Sequence, residues 1–190
     1  MSDPGKDVAV RAISEREKRE RAMSDTQVQI RTVSPSDGEG LRRMFSRASS
    51  ETIYRRFHIP FPEVPEWMVA LMLDADHLNK EALVAVAEEK VVGHAMYARL
   101  GEGTEAEMAI VVEDEWQSEG VGKSLLLELA SRARLRGLQT FTAEVLGENR
   151  RMLGLAGMFA GTGYMIAGDV YHVRMPLRTA SAARNLRRAA

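Results

Sequence analysis

The sequence predicts an α+β fold, a mixed and mostly antiparallel sheet with helices on both faces. Two observations lead there. In the middle of the chain, short apolar runs of strand length are separated by turns of only a few residues, which join antiparallel neighbours. Around them, apolar residues at helical spacing follow recognisable helix-start signals. The order is strand, helices, antiparallel strands, helix, strand, helix, strands. It contains no internal repeat and suits helices layered on a sheet.

The elements follow in order. Residues 27–33 alternate polar and apolar and form the first strand. Ser34-Pro35-Ser36-Asp37 opens a helix: Ser34 caps, Pro35 suits the first turn, and Asp37 stands where the acid of a capping box belongs. Leu41, Met44 and Phe45 continue it at helical spacing. Ser49-Ser50-Glu51-Thr52 starts a second helix, which Pro60, Pro62 and Pro65 bring to an end. Residues 66–73 read as a short amphipathic helix. Residues 82–87 and 91–100 flank Glu88-Glu89-Lys90 as a hairpin, and residues 105–113 add a strand. Residues 120–136 are helical, with Leu125, Leu129 and Ala133 on one face and Gly137 as the C-terminal cap. A strand at 140–145, a helix from about 149 to 160 and a hairpin of 164–167 with 170–175 complete the domain.

Composition sets the bounds. A chain of 190 residues, 45% hydrophobic and with net charge −1, suits one domain with a sizeable core. The absence of cysteine excludes disulfides, a cysteine nucleophile and thiolate metal sites. It is compatible with a reducing cytosol, and a cytoplasmic location is expected. No apolar run approaches the roughly 18 residues needed to span a bilayer, and residues 1–25 are too charged for a signal peptide. The charge gives no reason to expect nucleic acid or membrane partners. The expected organisation is a charged extension at 1–25, a domain at 26–177 and a basic tail at 178–190. The tail carries Arg178, Arg184, Arg187 and Arg188 with no acid, as a solvated end, as a dock for an acidic partner or as a segment folded back onto the core. Arg16 to Arg21, mixed with glutamates, suit a frayed helix. His58, His77, His94 and His172 show no ligand spacing, so no metal is expected.

The most informative stretch is Gln117-Ser118-Glu119-Gly120-Val121-Gly122-Lys123-Ser124, which follows an apolar strand and opens a helix. The first turn of a helix has N–H groups without intrahelical partners, and its dipole favours anions. Glycines let the backbone curl and let a phosphate approach closely. A phosphate or pyrophosphate is the expected ligand, with Lys123 and Ser124 adding a charge and a hydroxyl. Gly122-Lys123-Ser124 imitates the end of a nucleotide-binding P-loop, but that motif needs a glycine where Gln117 stands.

Gln117-Ser118-Glu119-Gly120-Val121-Gly122 resembles the Q/R-x-x-G-x-G/A motif of the GNAT acetyltransferase superfamily. Downstream, Glu148-Asn149-Arg150-Arg151-Met152 and Gly163-Tyr164 resemble that family's asparagine-led helix and closing Gly-Phe. Residues 49–57, with Ala106-Glu107 and Trp116-Gln117, are similar to bacterial protein lysine acetyltransferases within it. The resemblance implies an acetyl-CoA-dependent N-acetyltransferase. Ile110, Val111 and Val112 are expected to pair with the pantetheine arm, residues 117–124 to hold the pyrophosphate, and Asn149 and Met152 to flank the arm near its thioester. Two positions depart from the family. Glu119 stands where an arginine or lysine is frequent, and Phe159 stands where many members place a tyrosine acid near the sulfur. Tyr54, Tyr97 and Tyr164 are the remaining tyrosine candidates for that role.

A lysine amine, with a reference pKa of about 10.4, is almost wholly protonated near neutral pH and needs a base to attack a thioester. Glu107 is the expected base, because the lysine acetyltransferases carry a glutamate at the matching place. On an alternating strand it shares a face with Ala109 and Val111, and apolar neighbours would raise its pKa. Glu113 and Glu115 are expected to face solvent. Tyr54, Arg55, Arg56 and Phe57 either shape an acceptor pocket or form a helix with Tyr54 and Phe57 inward and the arginines outward. The acceptor is a protein lysine or a small amine. A non-catalytic acyl-CoA-binding module, monomeric or homodimeric like the enzyme readings, is the alternative of another class.

Overall fold

The computed structural model describes residues 27–177, and the expected extension and basic tail lie outside the described residues. The elements are β1 (Gln29–Thr32), a 3-10 turn at Pro35–Asp37, α1 (Gly38–Arg47), α2 (Ser50–Phe57), α3 (Glu66–Leu73), β2 (Lys80–Ala87), β3 (Lys90–Arg99) and β4 (Glu105–Val112). They continue with a 3-10 turn at Asp114–Trp116, α4 (Val121–Leu135), β5 (Thr140–Leu146), α5 (Arg150–Met158), β6 (Thr162–Ala167) and β7 (Val170–Pro176). The strands form one seven-stranded sheet in the order β1-β2-β3-β4-β5-β7-β6. Every neighbouring pair is antiparallel except β4 with β5.

The start signals act as the sequence predicts. Ser34 and Asp37 complete a reciprocal capping box. The Ser49 side chain accepts from Thr52 N–H at the start of α2, and Asn149 accepts from Met152 N–H at the start of α5. Gly137 takes φ +78° after α4, a conformation glycine adopts without steric cost.

Two apolar clusters lie on opposite faces of the sheet. On one, Leu125, Leu129 and Ala133 of α4 and Met152 of α5 pack on Met108, Phe141 and Ala143. On the other, Leu41, Met44 and Phe45 of α1, Ile53 of α2 and Met72 of α3 pack on Val84, Val91 and Val111. Each fully buried Leu, Met or Phe contributes about 1.5–3 kcal/mol, so both faces are needed to hold the sheet. The α3 helix departs from expectation. Val69 and Met72 are buried, but Trp67 and Leu71 are exposed, so its apolar residues are on both sides rather than on one stripe.

His94 of β3 is fully buried, and its Nε2–H donates to the Met72 carbonyl at 3.1 Å, leaving Nδ1 without a partner. Burial, with the nearby Arg56 charge, pushes its pKa down to about 4. Unfolding restores an ordinary histidine near 6.5, so the unfolded chain binds the extra proton between pH 6.5 and 4. The stabilisation from a neutral His94 is therefore complete above pH 6.5 and is lost as the pH falls toward 4. Urea unfolding at pH 5 should show about 2 kcal/mol less stability from this group than at pH 7. His94→Gln, which keeps an N–H for Met72 and does not titrate, should flatten that slope. An equal slope in both proteins would assign the pH dependence elsewhere.

Candidate acyl-coenzyme site

The site begins where two neighbouring strands part. β4 pairs with β5 only through Glu105, Ala106 and Glu107, opposite Thr140, Phe141 and Thr142. Beyond that point β4 stays on β3, β5 stays on β7, and a gap opens between them. Leu100 N–H bonds Glu105 O and Glu113 N–H bonds Val92 O, so the odd-numbered residues of β4 turn their main chain toward β3. The even-numbered ones, Ile110 and Val112, therefore turn theirs into the gap. Val111, grouped with them on sequence grounds, has its backbone committed to β3, and its side chain is buried on the α1 face.

The loop after β4 is held by a polar network. Glu113 is 3% exposed, not solvent-facing as expected, because the Arg47 guanidinium grips it with two bonds of 2.6 and 2.7 Å. Asp114 accepts from Ser49 N–H, Ser49 Oγ and Thr52 Oγ1 at 2.7–2.8 Å. Burial works to raise its pKa, and these donors outweigh burial and hold it below the ordinary range. Gln117 Nε2 donates to Thr52 Oγ1 at 2.9 Å and to the Val112 carbonyl at 3.0 Å. The side chain of the first motif residue is thus a strut inside the loop. Glu115 is exposed, as expected.

Ser118 (φ 69°) and Gly120 (φ 82°) then turn the chain through the left-handed region into α4. A side chain at Gly120 meets open space but strains the backbone. No side chain caps α4, and its first internal bond runs from Ser124 N–H to Gly120 O at 3.0 Å. The N–H groups of Val121, Gly122 and Lys123 are left without intrahelical partners at the positive end of a 15-residue helix. Gly122 faces Ile110, Val112 and Leu155 across the opening, where a Cβ would intrude on the groove.

A cavity of about 360 Å³ runs from this helix start along the gap. Ile110, Val111, Val112, Gln117 and Ser118 line it from the strand and loop, and Gly120, Gly122 and Lys123 from the helix start. Asn149 and Met152 line it from α5. Glu119, Val121 and Ser124 do not. Glu119 is exposed, Val121 sends its side chain into the core, and Ser124 uses its N–H within the helix. A second cavity of about 60 Å³ continues between Met108–Ile110 and Ala143–Val145. Both are lined by Arg55, Arg56, Ile110, Asn149 and Met152, which mark their junction.

The sequence reading missed Thr52, Arg151, Gly154 and Leu155, which line the 360 Å³ cavity, and it placed Arg55, which also lines it, only as a candidate for an acceptor pocket. Arg151 stands in the asparagine-led stretch, and its Nε lies 3.4 Å from Ser118 Oγ. Arg55 pairs with Glu51 and, at 3.8 Å, with Glu148. The second helix does not pack with Tyr54 inward and both arginines outward, and two of the four pocket candidates, Arg55 and Arg56, line the cavities. Phe57 packs inward between Phe45 and Phe61, Tyr54 turns outward, and Arg56 turns inward. Arg56 Nη2 contacts Met96 Sδ at 3.8 Å, while its Nε is closed from solvent without a partner. Burial pushes its pKa down to about 10, and the charge of Glu107 opposes the shift.

Glu107 is exposed, so the desolvation anticipated from its apolar neighbours is not present. It lies near Arg56 but lines neither cavity. Tyr97 is sealed in the core with its hydroxyl unpartnered, and Tyr164 lies exposed on the edge strand β6. Phe159 packs against the α4-side core. Among the described residues, no three histidine, aspartate or glutamate side chains gather as a metal site.

Fold, splayed strands and helix start together define a class: the chain belongs to the acetyltransferase (GNAT) family, whose pattern it matches over residues 42–159. Acetyltransferase Pat of Mycolicibacterium smegmatis is 32% identical over 126 residues, 65% of this chain and 38% of that longer protein. The GNAT domain of S. lividans PAT superposes with a TM-score of 0.73 at 28% identity, over 78% of this chain and 90% of that one. A PaiA N-acetyltransferase from Thermoplasma acidophilum, solved with coenzyme A, gives 0.65 at 17% identity over 79% and 99% of the two chains. At that identity the likeness is one of fold.

The polar network carries a prediction of its own. Thr52→Val keeps the shape of a residue that is 6% exposed but removes a donor to Asp114 and an acceptor for Gln117. Stability measured by denaturant should fall by about 1–3 kcal/mol. Hydrogen exchange of the 113–120 amides should accelerate more than that of β2 and β3. Uniform acceleration across the sheet would refute a local role.

Proposed function

We propose that the protein transfers an acetyl group from acetyl-CoA to a primary amine by direct attack in a ternary complex, with a protein lysine as acceptor. The observation that carries the proposal is the continuity between the unpaired N–H groups of α4 and the unpaired main chain of β4. A ligand with a pyrophosphate at one end and an extended amide arm at the other fits both. Val121, Gly122 and Lys123 N–H groups hold the pyrophosphate, with Lys123 and Arg151 adding charge. Ile110 and Val112 bond the arm as a partial extra strand, since their main chain faces the gap. Asn149 and Met152 flank the thioester at the cavity junction.

Glu107 serves as the base. It shares a strand face with Ala109 of the smaller cavity, two residues or about 7 Å along the strand, a spacing that its side chain and a bridging water span together. Its exposure supports a proton path to solvent rather than activation by burial. The amine is held in line with the thioester carbonyl, and positioning contributes several kcal/mol. The lysine reading rests on residues 49–57 and the other stretches similar to protein lysine acetyltransferases. Tyr54, Arg56 and Phe57 lie on the helix from which the acceptor approaches.

Calorimetric titration with acetyl-CoA tests the coenzyme. The wild type should bind in the micromolar range. Gly120→Glu, which adds an acid and strains a residue at φ 82°, should weaken binding at least tenfold, about 1.4 kcal/mol. No binding by the wild type would leave an interaction module of the same fold as the better reading. With a lysine peptide as acceptor, Glu107→Gln should keep coenzyme affinity and lower turnover by about 10²-fold or more, most strongly at low pH. Unchanged turnover across the neutral range would remove Glu107 from the reaction.

A further inference from the structure

The groove contains a cation without an anion, and it lacks an obvious proton donor for a leaving group. Phe159 has no proton to give, and Tyr97 is sealed in the core. Arg56 lines both cavities at their junction. Its Nε has no hydrogen-bond partner, and Nη2 has only the weak acceptor Met96 Sδ. Arg55, one residue earlier, is engaged by Glu51 and Glu148. Glu107 is close enough to act on Arg56 through space but forms no ion pair with it. A half-buried guanidinium with only a thioether and the face of the Phe57 ring beside it is stabilised by negative charge that arrives there.

The place of Arg56 along the groove identifies that charge. Met96, its contact, faces Ala109 across the β3–β4 ladder. Ala109 is three residues from Val112, about 10 Å along the strand. Arg56 thus lies toward the end of the groove where Asn149 and Met152 stand, and the negative charge that forms at this depth belongs to the reacting thioester.

We propose that Arg56 is a catalytic residue whose fixed positive charge stabilises the departing coenzyme thiolate, in place of a general acid. The proposal rests on the acetyl-CoA reading above. The lone pair of the amine forms the new C–N bond, and the carbonyl π pair moves to oxygen. The oxyanion collapses, the carbonyl re-forms, and the C–S bond breaks with its pair on sulfur. Sulfur leaves as a thiolate facing the guanidinium, while the ammonium proton passes to Glu107. No proton need reach sulfur during the step, because an ordinary thiol ionises near pH 8.5 and an adjacent cation favours the ionised form.

The chain has no cysteine, so no protein thiolate adds to the thiolate absorbance of bound coenzyme A. The test is a pH titration of the ultraviolet thiolate band of coenzyme A bound to the full chain, with desulfo-coenzyme A as blank. The bound thiol should titrate at least one unit below free coenzyme A, a tenfold gain in thiolate ratio near neutral pH. Arg56→Met and Arg56→Gln should return it to the free value or above, and Arg56→Lys should keep part of the shift. A wild-type bound thiol that titrates at or above the free value overturns the proposal, whatever the variants do. So does a shift that survives loss of the charge in Arg56→Met or Arg56→Gln. Failure of coenzyme A to bind the wild type, read by calorimetry, overturns the coenzyme reading itself and is distinguishable from both.

Discussion

The arrangement of the site depends on one interruption in one ladder. β4 and β5 are parallel neighbours for three residues and then diverge, although each remains bonded on its other side. Buried main-chain N–H and C=O groups ordinarily find partners, and leaving them bare costs free energy. Here the groups of Ile110 and Val112 face a groove instead of a strand, and Gln117 satisfies the Val112 carbonyl. What remains is a strand edge inside the molecule, open to one extended ligand and shielded from another chain.

The groove and the loop after β4 meet at α2. That helix carries Arg55 and Arg56 into the cavity, and its first turn, through Ser49 and Thr52, holds Asp114 and Gln117 of that loop. The bond from Arg47 to the buried Glu113 anchors the same loop to α1. Helices α1 and α2 are therefore tied by hydrogen bonds to the segment that precedes the start of α4. Movement of α2 and movement of the loop are mechanically linked.

Much of the fold was legible because its signals are local. Ser34 with Asp37, Ser49, Asn149 and Gly137 act within a few residues of themselves, where sequence patterns are informative. The same holds for the glycine loop before α4. The misread positions depend on distant partners. Glu113 follows a strand and looks solvated until Arg47, 66 residues away, closes over it. Gln117 lines the groove, yet nothing near it in the chain shows that its amide nitrogen is held by Thr52, 65 residues away. Glu107 alternates with apolar residues, yet no element covers it. Arg56 was partly legible. It stands three residues from the buried Ile53, with Phe57 at four, a spacing that puts all three on one helix face. The charge of Arg56 argued against that placement, and helical periodicity prevailed.

The helix start presents main-chain N–H groups to the groove, and this has an evolutionary consequence. A side-chain donor disappears with one substitution, but an amide N–H persists through every replacement except proline. Residues 119 and 123 can change while the donors stay, provided the backbone keeps its left-handed turns at Ser118 and Gly120. The mutational target for losing such a site is small. It narrows to that glycine and to the polar ties that hold the loop against α1 and α2.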